Sequence, residues 1–537
     1  MELISFINEN VVWGVPMLAA MLSTGLYFSL RTGFFQLRRF GHCMRSTLFS
    51  RAGREKSPDG SVSQFQAMCS ALAATLGTGN IAGVSAALAV GGAGAVFWMW
   101  ASALFGMMTG YAENVLGIYY RKKDCGGAMC YIKNGLSEKR LTKGIAAPLA
   151  AIFAVLCMLA SFGMGNMAQM NSAAQALKLN FGIPQWITGV VLAGAAALIV
   201  FGGVKRIAAV TEKLVPLMSG FYMTGAAYIL IVNFERMPSV FGAIIDGAFG
   251  IGAVGGGILG AAVKHAVSMG FRRGVFSNEA GLGTSVAAHA SSSVREPAVQ
   301  GMWSIFEVFF DTIVMCSLTA FVLLASPCRA PSAEECLNSV TAETQYFRLT
   351  DCGALITDGI QLPDTMQCRT AGGKIITAET GGVFTFSNVL TVRSVSAADG
   401  TVAAVIEIPD GAGLATYAFS QTFGGAAGKL LAIAVVMFAF STVVGWSRFG
   451  SDAAAYLFGK GAAAPFKVIF VISAAAGACV NMGIAWGVSD ILNGLMAAPN
   501  LFAVLCLSKK VLEITQNYSD RVFRGKNIPP MLSAYDE

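Results

Sequence analysis

Long apolar stretches separated by short polar connectors run through most of this chain, and many approach the roughly 20 residues that carry a helix across bilayer hydrocarbon. The pattern predicts eleven spans: Val11 to Leu30, Phe65 to Val90, Ala95 to Tyr119, Ala146 to Leu177, Trp186 to Gly203, Leu214 to Asn233, Val240 to Val267, Gly301 to Ala325, Gly428 to Ser447, Pro465 to Val480 and Gly483 to Leu507. Between the eighth and ninth spans the pattern changes. Ser326 to about Phe423 is polar and rich in Thr and Val, with strand-like alternation at Val383 to Val395 and Val402 to Ile408. The expected division is 1–64, an N-terminal helix and loop; 65–233, a first repeat; 234–325 and 424–507, the two parts of a second; 326–423, a small β-rich insertion; and 508–537, a tail.

The second span contains Thr75-Leu76-Gly77-Thr78-Gly79-Asn80 inside apolar flanks. Two glycines, a β-branched hydroxyl residue and an amide favour a broken helix, and freed backbone groups at membrane depth occur where they line a cavity or site. The segment points to transport of something small and polar. Asp246-Gly247 and the glycine run Gly250 to Gly257 suggest a second break in the seventh span, or close helix packing.

Composition agrees with the pattern: 55% of the 537 residues are hydrophobic and 12% charged, and the mean hydropathy is +0.62. A soluble protein of this length is excluded. The first span is not a secretory signal, because Met1 to Asn10 carries Glu2 and Glu9 and no Lys or Arg. Arg31, Arg38, Arg39, Arg45, Arg51, Arg54 and Lys56 follow it, which predicts a cytoplasmic loop and an outer N-terminus. Arg121-Lys122-Lys123, Lys205-Arg206, Arg272-Arg273, Arg448 with Lys460, and Lys509-Lys510 fall on the expected inner side, leaving the C-terminus cytoplasmic. The net charge of +7 is accounted for by inner loops facing anionic lipid, without nucleic acid. Four of the twelve cysteines, Cys328, Cys336, Cys352 and Cys368, fall in the insertion, expected outside, where disulfides persist in any of three pairings.

Three stretches, Ala71 to Trp100, Gly270 to Ala290 and Phe438 to Trp446, resemble the alanine or glycine:cation symporters, sodium-coupled amino-acid carriers of bacteria and archaea. The resemblance covers nearly the whole chain except the insertion. It implies an all-α polytopic bundle of the LeuT type: two inverted repeats of five helices, the first helix of each broken, after one extra N-terminal helix. It also implies a bacterial or archaeal plasma (inner) membrane, Na+ as coupling ion, and alanine or glycine as substrate, with serine and either hand of the amino acid open.

On that reading the N–H groups of Gly77, Thr78 and Gly79 would meet a substrate carboxylate, aided by the following half-helix dipole. By similarity, carbonyls of Ala73 and Leu76 with the hydroxyls of Ser441 and Thr442 would hold Na+, and Asn80 a second ion. Both hydroxyls could instead bond their own i−4 carbonyls. Asn166, Gln169 and Asn171 should face the bundle interior, with Gln169 expected at the substrate or as interhelical glue. Trp446 is expected to wall the pocket, form a gate, or belong to an interfacial belt.

Glu113, and Glu307 with Asp311 at i and i+4, are intramembrane acids. They serve as structural anchors, or as the relay of a proton-coupled carrier, the alternative to sodium. Phe276 to Gly281 follows Arg272-Arg273, so it is read as an inner loop helix in which Asn278 and Glu279 gate the cytoplasmic side or cap the helix. His265 and His289 lack ligand-spaced partners for a metal. Ser447-Arg448-Phe449-Gly450-Ser451 departs from the family pattern after the ninth-span Gly-Trp. The insertion could be a docking surface for a partner, a partial lid or a neutral elaboration. No nucleophile–base pair or phosphate loop is present, so an enzyme is not expected.

Overall fold

The computed structural model describes residues 8, 12–50, 62–122, 126–250, 256–326, 411–480 and 483–533, with six strands between 345 and 407. The helices used below are α1 (Val15–Arg31), α2 (Gln64–Thr75), α3 (Ala82–Gly91), α4 (Gly94–Tyr119), α5 (Ala128–Ser137), α6 (Lys143–Phe162) and α7 (Ala168–Phe181). They continue with α8 (Gln185–Val200), α9 (Gly203–Val232), α10 (Met237–Phe249), α11 (Gly256–Asn278), α12 (Pro297–Val308) and α13 (Ser317–Ala325). After the strands come α14 (Gly411–Phe423), α15 (Ala427–Phe458), α16 (Ala463–Gly477), α17 (Gly483–Cys506) and α18 (Ser508–Arg524). Among the described residues, six helical stretches are individually long and apolar enough to cross a membrane, and α2 with the segment 78–91 forms one further span bent by 63°. The protein is a multi-pass helical membrane protein.

Apolar side chains on nearly all faces of these helices need neighbours or lipid, and small residues let the helices approach closely. A Cβ on Gly445 of α15 would lie 2.7 Å from Ala74 N of α2, and one on Gly270 of α11 would lie 2.4 Å from Ala95 O of α4. α11 runs parallel to α4: Gly274 meets Ser102, Ala280 meets Gly106, and Val286 meets Gly117. α4 ends next to Arg121, whose guanidinium donates to Ser292 O at 2.6 Å, so this end of the bundle is basic. The amphipathic α18 closes the same end. Tyr111 and Thr515 hydroxyls are 3.0 Å apart, Arg521 pairs with Glu296, and Arg39 stands 4.0 Å over the Phe523 ring. Burial, and then the charges of Arg39 and Arg45, hold the His42 imidazole below its ordinary value where it meets Tyr518.

Two expectations need correction. Arg272 and Arg273 are not in an inner loop: they lie within α11, on the side of Phe276 away from the basic end, and Arg272 pairs with Asp490 at 3.2 Å. Asp490 is also held by Asn8 and by the indole of Trp13. Phe276 to Gly281 is therefore not at the inner surface but in the core beside the first break, with Phe276 carbons 3.7 Å from a Cβ on Gly79. A basic pair normally marks a loop, and here it sits inside a continuous helix. α10 ends at Phe249 and Gly250 is left-handed, while residues 251–255 of the glycine run lie outside the described residues. A second interruption follows α11, where Glu279 takes a positive φ of 55° and the backbone stays non-helical to Thr284.

The strands pair in one mixed sheet: β1 (Gln345–Leu349), β2 (Ala354–Ile356), β3 (Thr365–Arg369), β4 (Ile375–Thr380), β5 (Thr391–Ser396) and β6 (Val402–Glu407), in order β3-β4-β2-β1-β6-β5. The disulfide candidates Cys328, Cys336, Cys352 and Cys368 lie where no side chain is described.

The α2–α15 approach yields a stability prediction. Gly445→Ala should cost about 1–3 kcal/mol through overpacking, lowering the thermal midpoint of purified protein, whereas Gly461→Ala, with nothing within 4 Å, should not change it.

Candidate functional site

The site begins where α2 stops. In an unbroken helix the Gly77 N–H would bond the Ala73 carbonyl; here it donates to Asn80 Oδ1 at 3.1 Å. Gly77 is extended, residues Thr78–Asn80 make one 3-10 turn, and α3 leaves in a new direction. The Leu76 carbonyl turns toward α15 and accepts from Thr442 Oγ1 at 3.3 Å and Ser441 Oγ at 3.4 Å. Both hydroxyls also reach Phe438 O, at 3.0 and 2.8 Å. The back-bonding alternative and the contact with the break therefore coexist. Gly77 must lack a side chain, because a Cβ there would stand 2.8 Å from Thr442 Oγ1.

Gln169 reaches the same turn. α6 and α7 are joined by a π-helical stretch, Gly163–Met167, whose wider turn resets the phase of α7. Gln169 Oε1 accepts from Thr78 N at 3.3 Å and Thr78 Oγ1 at 3.0 Å. An amide oxygen thus occupies the Thr78 N–H, one of the three that the sequence offers to a carboxylate, and the Asn80 side chain takes that of Gly77. Asn166 and Asn171 instead donate to Phe470 O and to Gly477 O and Val480 O of the α16 region, as interhelical ties. Gly79 is the least buried residue of the turn and faces Phe276.

On the other side of the turn Asn80 Nδ2 donates to Asp311 Oδ1 at 2.7 Å and to Ser277 Oγ at 3.0 Å, and its carbonyl accepts from Thr319 Oγ1 at 2.8 Å. Asp311 Oδ2 also accepts from Ser277 at 2.7 Å and Thr312 at 2.9 Å. Asp311 and Ser277 are buried, and their roles at the break are legible only in three dimensions. Glu307 and Asp311 do not share a face. A π-helical stretch, Phe309–Cys316, intervenes, so Glu307 bonds His289 while Asp311 bonds Asn80.

Trp446 is fully buried and not an interfacial belt residue. Its indole donates to Glu279 Oε1 at 3.2 Å, and Thr284 donates to Glu279 Oε2 at 2.5 Å. Asn278 Oδ1 accepts from Ala280 N at 3.0 Å, closing the end of α11, and its amide donates to Thr312. Glu113 accepts from Asn500, which also bonds Gly281 O at 2.9 Å and receives the Tyr131 hydroxyl. That network is an anchor for the second interruption.

The carbonyl and hydroxyl oxygens around Leu76 are hard donors without thiol or imidazole, a set that suits an alkali cation. Among the described residues no group of three or more His, Cys, Asp or Glu could hold a metal ion. The sequence model of the sodium:alanine symporter family matches residues 1–356 and 379–531. The chain belongs to the sodium:alanine symporter family. It is a symporter, not an enzyme, and members of this family couple amino-acid movement to a cation. Most of the polar insertion falls within the match, and only 357–378 of it does not, a correction to the expectation that the resemblance excludes this region.

The sodium/alanine symporter AgcS of Methanococcus maripaludis is 35% identical over 97% of this chain and 98% of its own length. An uncharacterized transporter of Haemophilus influenzae is 34% identical over 96% and 95%. The probable sodium/glutamine symporter GlnT of Bacillus subtilis is 30% identical over 98% and 92%. Among solved structures, a Na+-coupled sialic acid symporter aligns over 98% of this chain and 93% of that chain with TM-score 0.48 and 12% identity, too distant a likeness to bear on the site.

The arrangement around Asn80 yields a prediction for this member. Asp311→Asn preserves shape but removes the formal charge bonded to the Asn80 amide. Substrate uptake should fall at least about tenfold, the scale of losing one charge-assisted hydrogen bond, while the elution profile of the purified protein stays unchanged.

Proposed function

We propose that the chain carries a small neutral amino acid, alanine or glycine, into the cell together with Na+ by alternating access. The observation that carries this reading is the Leu76 carbonyl, released by the break and met by the hydroxyls of Ser441 and Thr442. The Ala73 carbonyl, relieved of the Gly77 N–H, completes an oxygen set for one Na+. Asn80 supplies the second with its side-chain oxygen, its amide nitrogen being held by Asp311 and Ser277. The substrate carboxylate takes the Thr78 N–H and hydroxyl from Gln169 Oε1, and Gln169 swings aside to contact the substrate's polar end. Gly77 and Gly79 line the carboxylate position, and the buried Trp446 forms the wall nearest Glu279. A small substrate fits a turn built from glycines and roofed by Phe276.

Two interrupted helices brought together at Asn80 and Ser277 support a 5+5 inverted-repeat bundle of the LeuT type, with α1 as the added helix. In that bundle the second break is the stretch after Asn278. The basic end is cytoplasmic, which puts the N-terminus and the insertion outside and the tail inside a bacterial or archaeal plasma membrane. Disulfides among the four insertion cysteines and a partner for its surface remain proposals of the same kind. The proton-driven alternative has less support: Glu113 is committed to Asn500, and Asp311 to Asn80.

The test is uptake of radiolabelled alanine into proteoliposomes under an inward Na+ gradient, against equal K+ or proton gradients. Na+-dependent accumulation that falls about tenfold or more in Thr442→Ala is expected. Accumulation driven equally by protons would overturn the ion assignment.

A further inference from the structure

A second buried polar cluster lies toward the basic end and takes no part in the site just described. His289 ends the short helix Val286–His289 that follows the second interruption, and it is wholly buried. Its Nε2 is 2.9 Å from Glu307 Oε2 and its Nδ1 is 2.6 Å from Gln300 Nε2. Glu307 and Gln300 lie seven residues apart on α12, on one face, and both are buried.

Three observations bear on its role. First, Gln300 Nε2 can only donate, so Nδ1 is the acceptor and the neutral ring gives its single proton to Glu307. Second, Gln300 Oε1 and Glu307 Oε1 are both buried without a hydrogen-bond partner, as are both polar atoms of Asn114. Asn114 shares the face of α4 that presents Gly110 to Ser304 and Gly117 to Val286, so it looks toward the same cluster. Native interiors satisfy such atoms with protein or water. Third, Ala290 and Ser291, next in the chain, line a cavity of about 350 Å³ at the basic end, with Arg121, Lys122, Arg448 and Asp452 around it. The cavity begins one residue beyond the histidine, which is itself wholly buried and does not line it.

The geometry points to His289 as a proton-binding site, reached from the basic end, whose occupancy locks that end closed. With a proton added at Nδ1, the ring keeps its bond to Glu307, now an ion pair. Gln300 then turns its amide by a half-rotation, so that the orphaned Oε1 accepts from Nδ1–H; no other atom need move. Imidazole is the side chain suited to change charge between about pH 5 and 8. Among the described residues, the other charged groups around it include Glu113 on α4, Glu279 in the second interruption and Asp311 beyond the end of α12, all within electrostatic reach of Glu307, and Arg121, which holds Ser292 O.

The lock acts on the moving part of the bundle. The segment after His289 is pinned to the start of α2, through the bridge between Val62 and Ser292 and the bond from Ser293 N to Val62 O at 2.9 Å. α2 is the half-helix that ends at Thr75, just before Leu76. Strengthening the His289–Glu307 contact therefore holds α2 against α12 at the end that must part for release.

The first readout rests on the symport reading and the second does not. In alanine exchange between proteoliposomes and medium, acidifying the side facing the basic end from about pH 8 to about 5.5 should slow wild-type exchange at least about threefold. His289→Gln should show less than about a 1.5-fold difference. Gln300→Met keeps the histidine but removes the carbonyl that receives its proton, and should move the midpoint of the wild-type profile to lower pH. A wild-type pH profile retained in both variants would overturn the proposal. Hydrogen exchange of residues 286–296, corrected for intrinsic rates, needs no substrate: protection should rise in acid in the wild type and not in His289→Gln. Equal protection in both proteins would overturn the lock even if alanine proved not to be the substrate, and if His289→Gln does not fold, Gln300→Met decides by the same measurement.

Discussion

One hydrogen bond that is not made organises this molecule. The Gly77 N–H turns to the Asn80 side chain, the Ala73 carbonyl loses its helical partner, and α2 ends inside the bundle. A helix end with unsatisfied backbone is costly in an apolar interior unless partners come from elsewhere. They come from three directions: Ser441 and Thr442 of α15 at the Leu76 carbonyl, Gln169 of α7 at the Thr78 N–H, and Thr319 of α13 at the Asn80 carbonyl. Each of these elements is thereby tied to the turn, and displacing any of them leaves a buried polar group exposed to hydrocarbon.

Two π-helical stretches, Gly163–Met167 and Phe309–Cys316, let the surrounding helices meet that turn. Such stretches widen the helix by one residue and shift every side chain that follows. In the first, the shift points Gln169 at Thr78; in the second, it splits Glu307 from Asp311 and gives them separate work. One carboxylate joins the turn at Asn80 and the other joins His289. Glycines do the complementary job of removing volume, so that α15 and α11 can press against α2 and α4.

The class of the protein was legible from hydropathy alone, and the first break from Gly77, Thr78, Gly79 and Asn80, because backbone unwinding is a local property of those residues. The pairing of that break with Ser441 and Thr442 came from family resemblance rather than from spacing. What failed was depth. Arg272-Arg273 read as a loop marker, whereas they lie mid-helix in α11 and Arg272 pairs with Asp490 within the fold. That error carried Phe276 to Gly281 to the surface and hid Ser277. The i,i+4 reading of Glu307 and Asp311 failed because a π-helical stretch has no single-sequence signature, and Asp311 therefore looked like a relay partner rather than the charge beside Asn80.

On the proposed function, the Leu76 carbonyl with Ser441 and Thr442 binds a cation. The most direct measurement is the thermal midpoint of purified protein in NaCl and in KCl at equal ionic strength, for the wild type and Ser441→Ala/Thr442→Ala. A ligand that binds only the folded state raises its midpoint. A Na+-specific rise in the wild type, lost in the double variant, is expected. An equal rise in both proteins would put the cation elsewhere and contradict it.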